Sequence, residues 1–406
     1  MPFTFMHQPL KGIYIVYQLL TTLLIRIPWW TLRSLPRSWR PRTSWSLNRV
    51  LRINLLRHMI CVVDQLGIFR ITPNHLALET DVGANGVWIE PVPHLIVEEL
   101  QAFADTSAVD VIRIPGYWMH KDGIDVKVAS PLVAGEKVVY HLHGGAYVRC
   151  SAHPSDKTTN ITRGLLECAD LVRRTFSVEY RLSSTDPFPV ANPFPAALID
   201  ALAGYNYLVN VVGLSPADII VVGDSAGGNL AHALTRYLVE NQNSANVNLP
   251  APPGALVLFS PKIDMSDSHS TPGSSTFTCL KTDCITPDIG AYSRRAFLGP
   301  HGFAAAGTNR YISPACRYPA FSIDFKGFPR TLIVAGGAEI LVDEIRTMRA
   351  RMVRDLGEGD GIKPGEGKVR YIEEPDAAHD YVVFEWHEPE RTNTLKEVAR
   401  WIAMTA

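Results

Sequence analysis

A chain of 406 residues with 46% hydrophobic content is long enough for one large or two ordinary domains around a substantial core. Lys and Arg total 39 against 40 Asp and Glu, so the charge balance gives no footing to a nucleic-acid partner. The six cysteines (Cys61, Cys150, Cys168, Cys279, Cys284, Cys316) form neither a C-x-x-C pair nor a Cys/His cluster at zinc spacing, which speaks against a metal framework. They read as buried free thiols, with Cys279 and Cys284 the candidate pair if the domain is lumenal.

The even total hides an asymmetry along the chain. No Asp or Glu precedes Asp64, whereas Arg26, Arg33, Arg37, Arg40, Arg42, Arg49, Arg52 and Arg57 all do. Residues 12 to 25 are apolar apart from Gln18 and two threonines, and Ile27-Pro28-Trp29-Trp30 prolongs the apolar run past Arg26. A bilayer span needs about 20 such residues, so this one is marginal. Tryptophans beside arginines suit the headgroup zone. A secretory signal competes, but no small-residue cleavage site follows; the plainer alternative is an amphipathic helix covering the globular body. The expectation is that residues 1 to 46 associate with a membrane, that of the endoplasmic reticulum, either spanning it or lying in its surface. If they span, the arginine excess puts the remainder on the cytosolic side. The sequon Asn160-Ile-Thr162 would matter only on the lumenal side.

Pro36, Pro41 and intervening serines break the first pattern, and a second helical stretch runs from about Leu47 to Leu66. From Val109 onward strands and helices alternate. Candidate strands are Val109 to Ile114, Ile124 to Ala129, Lys137 to Leu142, Thr175 to Tyr180, Asp218 to Val222, Ala255 to Ser260, Thr331 to Ala335 and Val369 to Glu373. That order predicts an α/β fold: a mostly parallel sheet, helices on both faces, and reactive groups at the C-terminal strand ends. The Ser-, Thr-, Pro- and Gly-rich region from Lys262 to Ala315 interrupts the pattern and reads as a lid.

The stretch Asp218-Ile-Ile-Val-Val-Gly-Asp-Ser225-Ala-Gly-Gly-Asn-Leu230 passes from a β-branched run, through a corner, into a helical pattern marked by Leu230, Leu234 and Leu238. Gly223-x-Ser225-x-Gly227 fits a nucleophile elbow, where a tight strand-to-helix turn lifts a serine hydroxyl above the sheet. A serine hydroxyl is a poor nucleophile at neutral pH and needs a base, which in turn needs an orienting acid. Carboxylates Glu339, Asp343 and Glu344 follow the strand Thr331 to Ala335, and His379 follows the last strand, in the order serine, acid, histidine. The glycine pair after Val138-Val-Tyr-His-Leu-His143 can aim amides at one point, so Gly144, Gly145 and Ala226 are the predicted oxyanion donors. His143 and Asp224 read as scaffold for that loop and corner.

These pieces together resemble the hormone-sensitive-lipase-like branch of the α/β hydrolases. They are His143-Gly-Gly-Ala-Tyr147, Tyr180-Arg-Leu182 followed by Pro187-Phe-Pro189, Gly223-Asp-Ser-Ala-Gly-Gly228, and Ser260-Pro261 with Asp264. The resemblance implies an eight-stranded sheet over roughly 101 to 406, a helical cap from residues 47 to 100 and 262 to 310, and serine ester hydrolysis without metal or organic cofactor. The basic, tryptophan-bearing N-terminus is similar to that of fungal members, including enzymes similar to steryl acetyl hydrolase. Set against the family segment D-P-L-x-D, Glu339-Ile-Leu-Val-Asp343 makes Glu339 the acid and Asp343 the reserve. Ala146 replaces a third glycine and Ser183-Ser-Thr185 replaces Ala-Pro-Glu, changes expected to alter loop packing more than chemistry. The reading is a membrane-associated serine esterase removing a short acyl group, acetyl foremost, from a hydrophobic alcohol such as a sterol, terpenoid or polyketide. Acyl transfer or lactone hydrolysis through the same acyl-enzyme is the nearest alternative, and a non-catalytic ligand-binding homologue is the second.

Overall fold

A computed structural model describes residues 4–67, 74–79, 85–124 and 130–405. Eight strands form one sheet: β1 (Asn85–Ile89), β2 (Ile114–His120), β3 (Lys137–Leu142), β4 (Val172–Val178), β5 (Ile219–Asp224), β6 (Ala255–Phe259), β7 (Arg330–Gly336) and β8 (Val369–Glu374). Their order is β1-β2-β4-β3-β5-β6-β7-β8. β2 runs antiparallel to both neighbours, and every pair from β4 to β8 is parallel. Parallel strands covered on both faces need apolar residues at every position, sorted by the two-residue period. Accordingly Val138, Tyr140 and Leu142 of β3 and Ile219 and Val221 of β5 face one core, with helices Ala196–Asn206, Ser225–Asn241 and Val342–Leu356. Val139, Ile220 and Val222 face the other, with helices Asn160–Cys168 and Glu390–Ala403.

Two strands differ from expectation. The second strand lies at Ile114–His120 and not at Val109 to Ile114, because Pro115-Gly116 reads as a turn although it sits inside the ladder. Pro115 pairs with Trp88, and a Cβ on Gly116 would collide with the Phe176 ring. Asn85–Ile89, inside the segment expected to belong to the cap, is the edge strand of the sheet. The strand expected at Ile124 to Ala129 falls on 125–129, outside the described residues. All six cysteines are free thiols, Cys279 and Cys284 included.

Over the C-terminal strand ends lie the helix Leu47–Leu66 and the inserted segment. Ser46 Oγ caps that helix by accepting from the Arg49 amide at 3.1 Å, and Gly67 closes it in the left-handed conformation. The insertion contributes the helix Pro287–Leu298, whose Tyr292 and Ala296 cluster with Val148, Val63 and Phe188. Arg57 ties the two parts together by donating to the Asp283 and Lys281 carbonyls.

Ahead of this body a continuous helix runs from Leu10 to Ser34. Its turn widens over Thr22–Arg26, just before Pro28, which cannot donate to the ladder. Leu23, Leu24 and Ile25 are each more than 60% exposed. It touches the body through His58, which meets Thr22 Oγ1 at 3.1 Å and the edge of Trp30.

Candidate active site

Ser225 stands where β5 gives way to the helix Ser225–Asn241. Its backbone is left-handed, with φ of 51°, the strained geometry a nucleophile elbow imposes. The flanking glycines are required by close approach: a Cβ on Gly223 would strike the Gly227 carbonyl, and one on Gly227 the Leu142 carbonyl. Asp224 is buried beside the serine and accepts from His141 Nε2 at 3.0 Å, anchoring the corner to β3.

The loop after β8 brings His379 over the serine. Its Nε2 lies 2.9 Å from Ser225 Oγ, and its Nδ1 donates to Glu339 Oε2 at 2.7 Å. Glu339 follows β7; its other oxygen accepts from the Gly336 amide at 2.7 Å and from Ser260 Oγ at 3.1 Å. Burial raises the Glu339 carboxyl despite the His379 hydrogen bond. Burial disfavours charge on His379 too, yet Asp380 and Glu339 outweigh it and raise the imidazole well above the ordinary histidine range. Asp343, the reserve acid, is elsewhere: it accepts from the Ser275 amide at 2.7 Å.

The glycine loop is only partly as expected. Gly145 and Ala146 border the cavity beside Ser225, and among the described residues their amides have no acceptor in the protein. Gly144 does not border it: the residue is buried, and a Cβ there would meet Asp224. Ala226 lies in the first helical turn, where amides have no intrahelical partner. Ala146 and Tyr147 both take positive φ, so the alanine occupies backbone that glycine would favour. Tyr147 fixes the loop by donating to Asn229 Oδ1 at 2.7 Å and stacking on Phe297. His143 lies inside the loop: Nδ1 donates to the Gly144 carbonyl at 2.7 Å, the ring stacks on Tyr180, and burial lowers its pKa.

Several residues that hold this arrangement were not legible in the sequence. Asp283, in the inserted segment, accepts from the His379 amide at 3.1 Å and the Ile340 amide at 2.6 Å, so one buried carboxylate ties the base loop to the acid loop. Asp380 lies 3.1 Å from His379 Nε2. Trp45 and Arg42 close the back of the same loops, donating to the Asp376 and Gly337 carbonyls at 2.8 and 2.9 Å. Adjacency to His379 was the one available signal, for Asp380 alone.

Ser225 and His379 border a cavity of about 560 Å³. Its walls come from both parts of the cap and from the sheet's loops, with Ile60, Met265, Ile285, Phe297, Leu341 and Phe384 among its apolar residues. A volume in the range of drug-sized ligand sites, whose exposed wall is mostly apolar with charged groups such as Arg149, Lys262 and Arg294 at its border, suits a mostly apolar small molecule. The arrangement can deprotonate a hydroxyl, hold the resulting imidazolium and place amides around a developing anion.

A sequence family described as alpha/beta hydrolase fold matches residues 139–382. The chain belongs to the α/β-hydrolase fold family. Among relatives of this α/β hydrolase, Esterase LipU of Mycobacterium tuberculosis is 28% identical over 275 residues, covering 67% of this chain and 79% of its own. An acetyl-hydrolase of Streptomyces hygroscopicus is 28% identical over 257 residues, covering 62% and 70%. The solved hormone-sensitive lipase from a metagenome library superposes with a TM-score of 0.52 at 25% identity, covering 71% of this chain and 81% of that one. An esterase from the bacterial hormone-sensitive lipase family, at 20% identity and a TM-score of 0.57 over 89% and 98%, shares the fold. This α/β hydrolase is thus of the hormone-sensitive-lipase-like branch, a carboxylic ester hydrolase.

Proposed function

We propose that Ser225, His379 and Glu339 form the catalytic triad of a serine esterase that removes a short acyl group, acetyl foremost, from a hydrophobic alcohol. The unbroken hydrogen-bonded chain from Ser225 Oγ through the imidazole to Glu339, at the border of the apolar cavity, carries the reading. Ser225 attacks the ester carbonyl as its proton passes to His379 Nε2, and Glu339 stabilises the imidazolium at Nδ1. The Gly145, Ala146 and Ala226 amides face the oxyanion, each worth about a hundredfold to a thousandfold in rate. The proton then passes from Nε2 to the departing alcohol, and water activated by the same nitrogen frees the acid. A short acyl group is supported by the name of the acetyl-hydrolase relative, and a hydrophobic alcohol by the cavity's apolar walls.

The helix Leu10–Ser34 is proposed to hold the enzyme at a membrane. Support comes from its exposed apolar surface, with Trp29 and Trp39 also exposed, and from the arginines that follow it. These features support attachment to a bilayer and name no compartment.

The test is release of p-nitrophenol from a chain-length series of p-nitrophenyl esters, and of acetate from sterol acetates in mixed micelles. The expected result is a preference for the shortest acyl chains, lost in Ser225→Ala. Hydrolysis undiminished in that variant, or confined to long acyl chains, would overturn the reading. Sedimentation with phospholipid vesicles tests the membrane part.

A further inference from the structure

The imidazole of His379 has a second carboxylate partner for which the triad has no use. Asp380 Oδ2 lies 3.1 Å from Nε2, the nitrogen that Ser225 Oγ approaches to 2.9 Å. This side chain is held in place. Its backbone is left-handed, with φ of 52°, and its amide donates to Ser260 Oγ at 3.2 Å, the hydroxyl that in turn donates to Glu339. The other oxygen, Oδ1, is sealed from solvent and has no hydrogen-bond partner among the described residues. A carboxylate and an unprotonated ring nitrogen present lone pairs to each other and repel. The contact becomes attractive only with one proton between them, on Nε2 or on Oδ2. That proton occupies the position to which the serine must donate.

We propose that Asp380 is a positioning residue that keeps a proton on this side of His379 in the resting enzyme, so that the base becomes available to Ser225 only after the pair has lost it. The acidic limb of hydrolysis would then stand at higher pH than Glu339 alone would set. The proposal rests on the esterase reading. The other carboxylates around the pair act in the same sense. Glu339 holds Nδ1, Asp283 accepts from the His379 amide, and Asp224 faces Asp380 from the end of β5. Cys284 and Cys150 are thiols whose pKa values burial raises; Arg57 of the cap acts on Asp283 and Cys284, and Arg149 and Lys262 border the same cavity. The charges acting most on the pair are the carboxylates Glu339 and Asp224, which favours retention of the proton. Burial pushes Asp380 itself up to about 7. During turnover the serine O–H breaks as Nε2–H forms, Asp380 accepts a hydrogen bond from the new imidazolium, and the proton leaves with the alcohol.

The experiment compares wild type with Asp380→Asn and Asp380→Ser, the second because an asparagine amide can itself donate to Nε2. The kcat/KM for p-nitrophenyl acetate is followed across pH ~5 to ~10, and His379 is titrated by NMR in protein carrying ¹³C-histidine, its signal assigned by loss in His379→Gln. The expected result is that both variants move the acidic limb and the His379 titration down by about 1 to 3 pH units. A titration unmoved in both variants overturns the proposal, even if their rates fall, because a merely structural aspartate would lower rates without moving it. If wild type hydrolyses no ester while the titration still shifts, the proton-holding role stands and the esterase reading fails.

Discussion

Two apolar helices in this chain meet opposite fates. Helix Ser225–Asn241 is buried along nearly its whole length, with His232, Thr235 and Arg236 enclosed beside its leucines. Helix Leu10–Ser34 is at least as apolar in sequence and leaves Leu20, Leu24, Trp29 and Leu32 mostly exposed. The difference is in what surrounds them. The first is covered by sheet and neighbouring helices, while the second meets the protein along one side, against the helix Leu47–Leu66. Apolar surface excluded from a protein's own core needs a partner that is not water. The first helix carries the proposed nucleophile and the second the proposed membrane attachment, and each proposal can be tested apart from the other.

The largest expected effect is on the chemical side. Ser225→Ala should lower ester hydrolysis by about 10⁴- to 10⁶-fold while leaving vesicle sedimentation unchanged; loss of both together would mean that the two helices are not separable. Glu339→Gln should reduce kcat by about 10⁴-fold, since the amide cannot stabilise the imidazolium, with KM little changed. On the location side, Leu20→Asp with Leu24→Asp should release the protein from vesicles, each charge opposing insertion by roughly 2.5 to 3.5 kcal/mol, with hydrolysis of a water-soluble ester intact. Trp45→Ala should destabilise the folded protein by about 3 to 5 kcal/mol in denaturant unfolding, because it empties a fully buried site and frees the Asp376 carbonyl. The smallest effect is Asp343→Asn, about 1 kcal/mol of stability from a weakened bond to the Ser275 amide, with activity retained. An inactive Asp343→Asn beside an active Glu339→Gln would reverse the choice of acid.

The parts of this architecture written in local chemistry were legible in the sequence. The central strands could be read because residues buried on both faces leave unbroken apolar runs. Ser225 and His379 could be placed because each follows such a strand, in a fixed order, whereas Glu339 is separated from Asp343 and Glu344 only by the resemblance to the family segment. Reading failed where tertiary contact overrides local pattern. Pro115-Gly116 reads as a turn, yet the glycine is there to admit the Phe176 ring and the proline pairs near the edge of the sheet. Asn85–Ile89 opens on Asn-Gly, a turn signal, and so does not announce a strand. The glycine pair after His143 marks a bend but not which amides it aims, and Gly145 and Ala146, not Gly144, border the cavity. Asp283 carries no local mark, since its partners lie at Ile340 and His379, far along the chain.

The hydrogen bonds from Arg42 and Trp45 to the Gly337 and Asp376 carbonyls have a mechanical meaning. The chain leaving the exposed helix is fastened first to the two turns that present the acid and the base, not to the rigid strands behind them. With that helix held in a lipid phase, its displacement would be passed to those turns through Arg42 and Trp45 as well as to the helix Leu47–Leu66 through His58. The proposed membrane helix and the proposed triad thus share one attachment point.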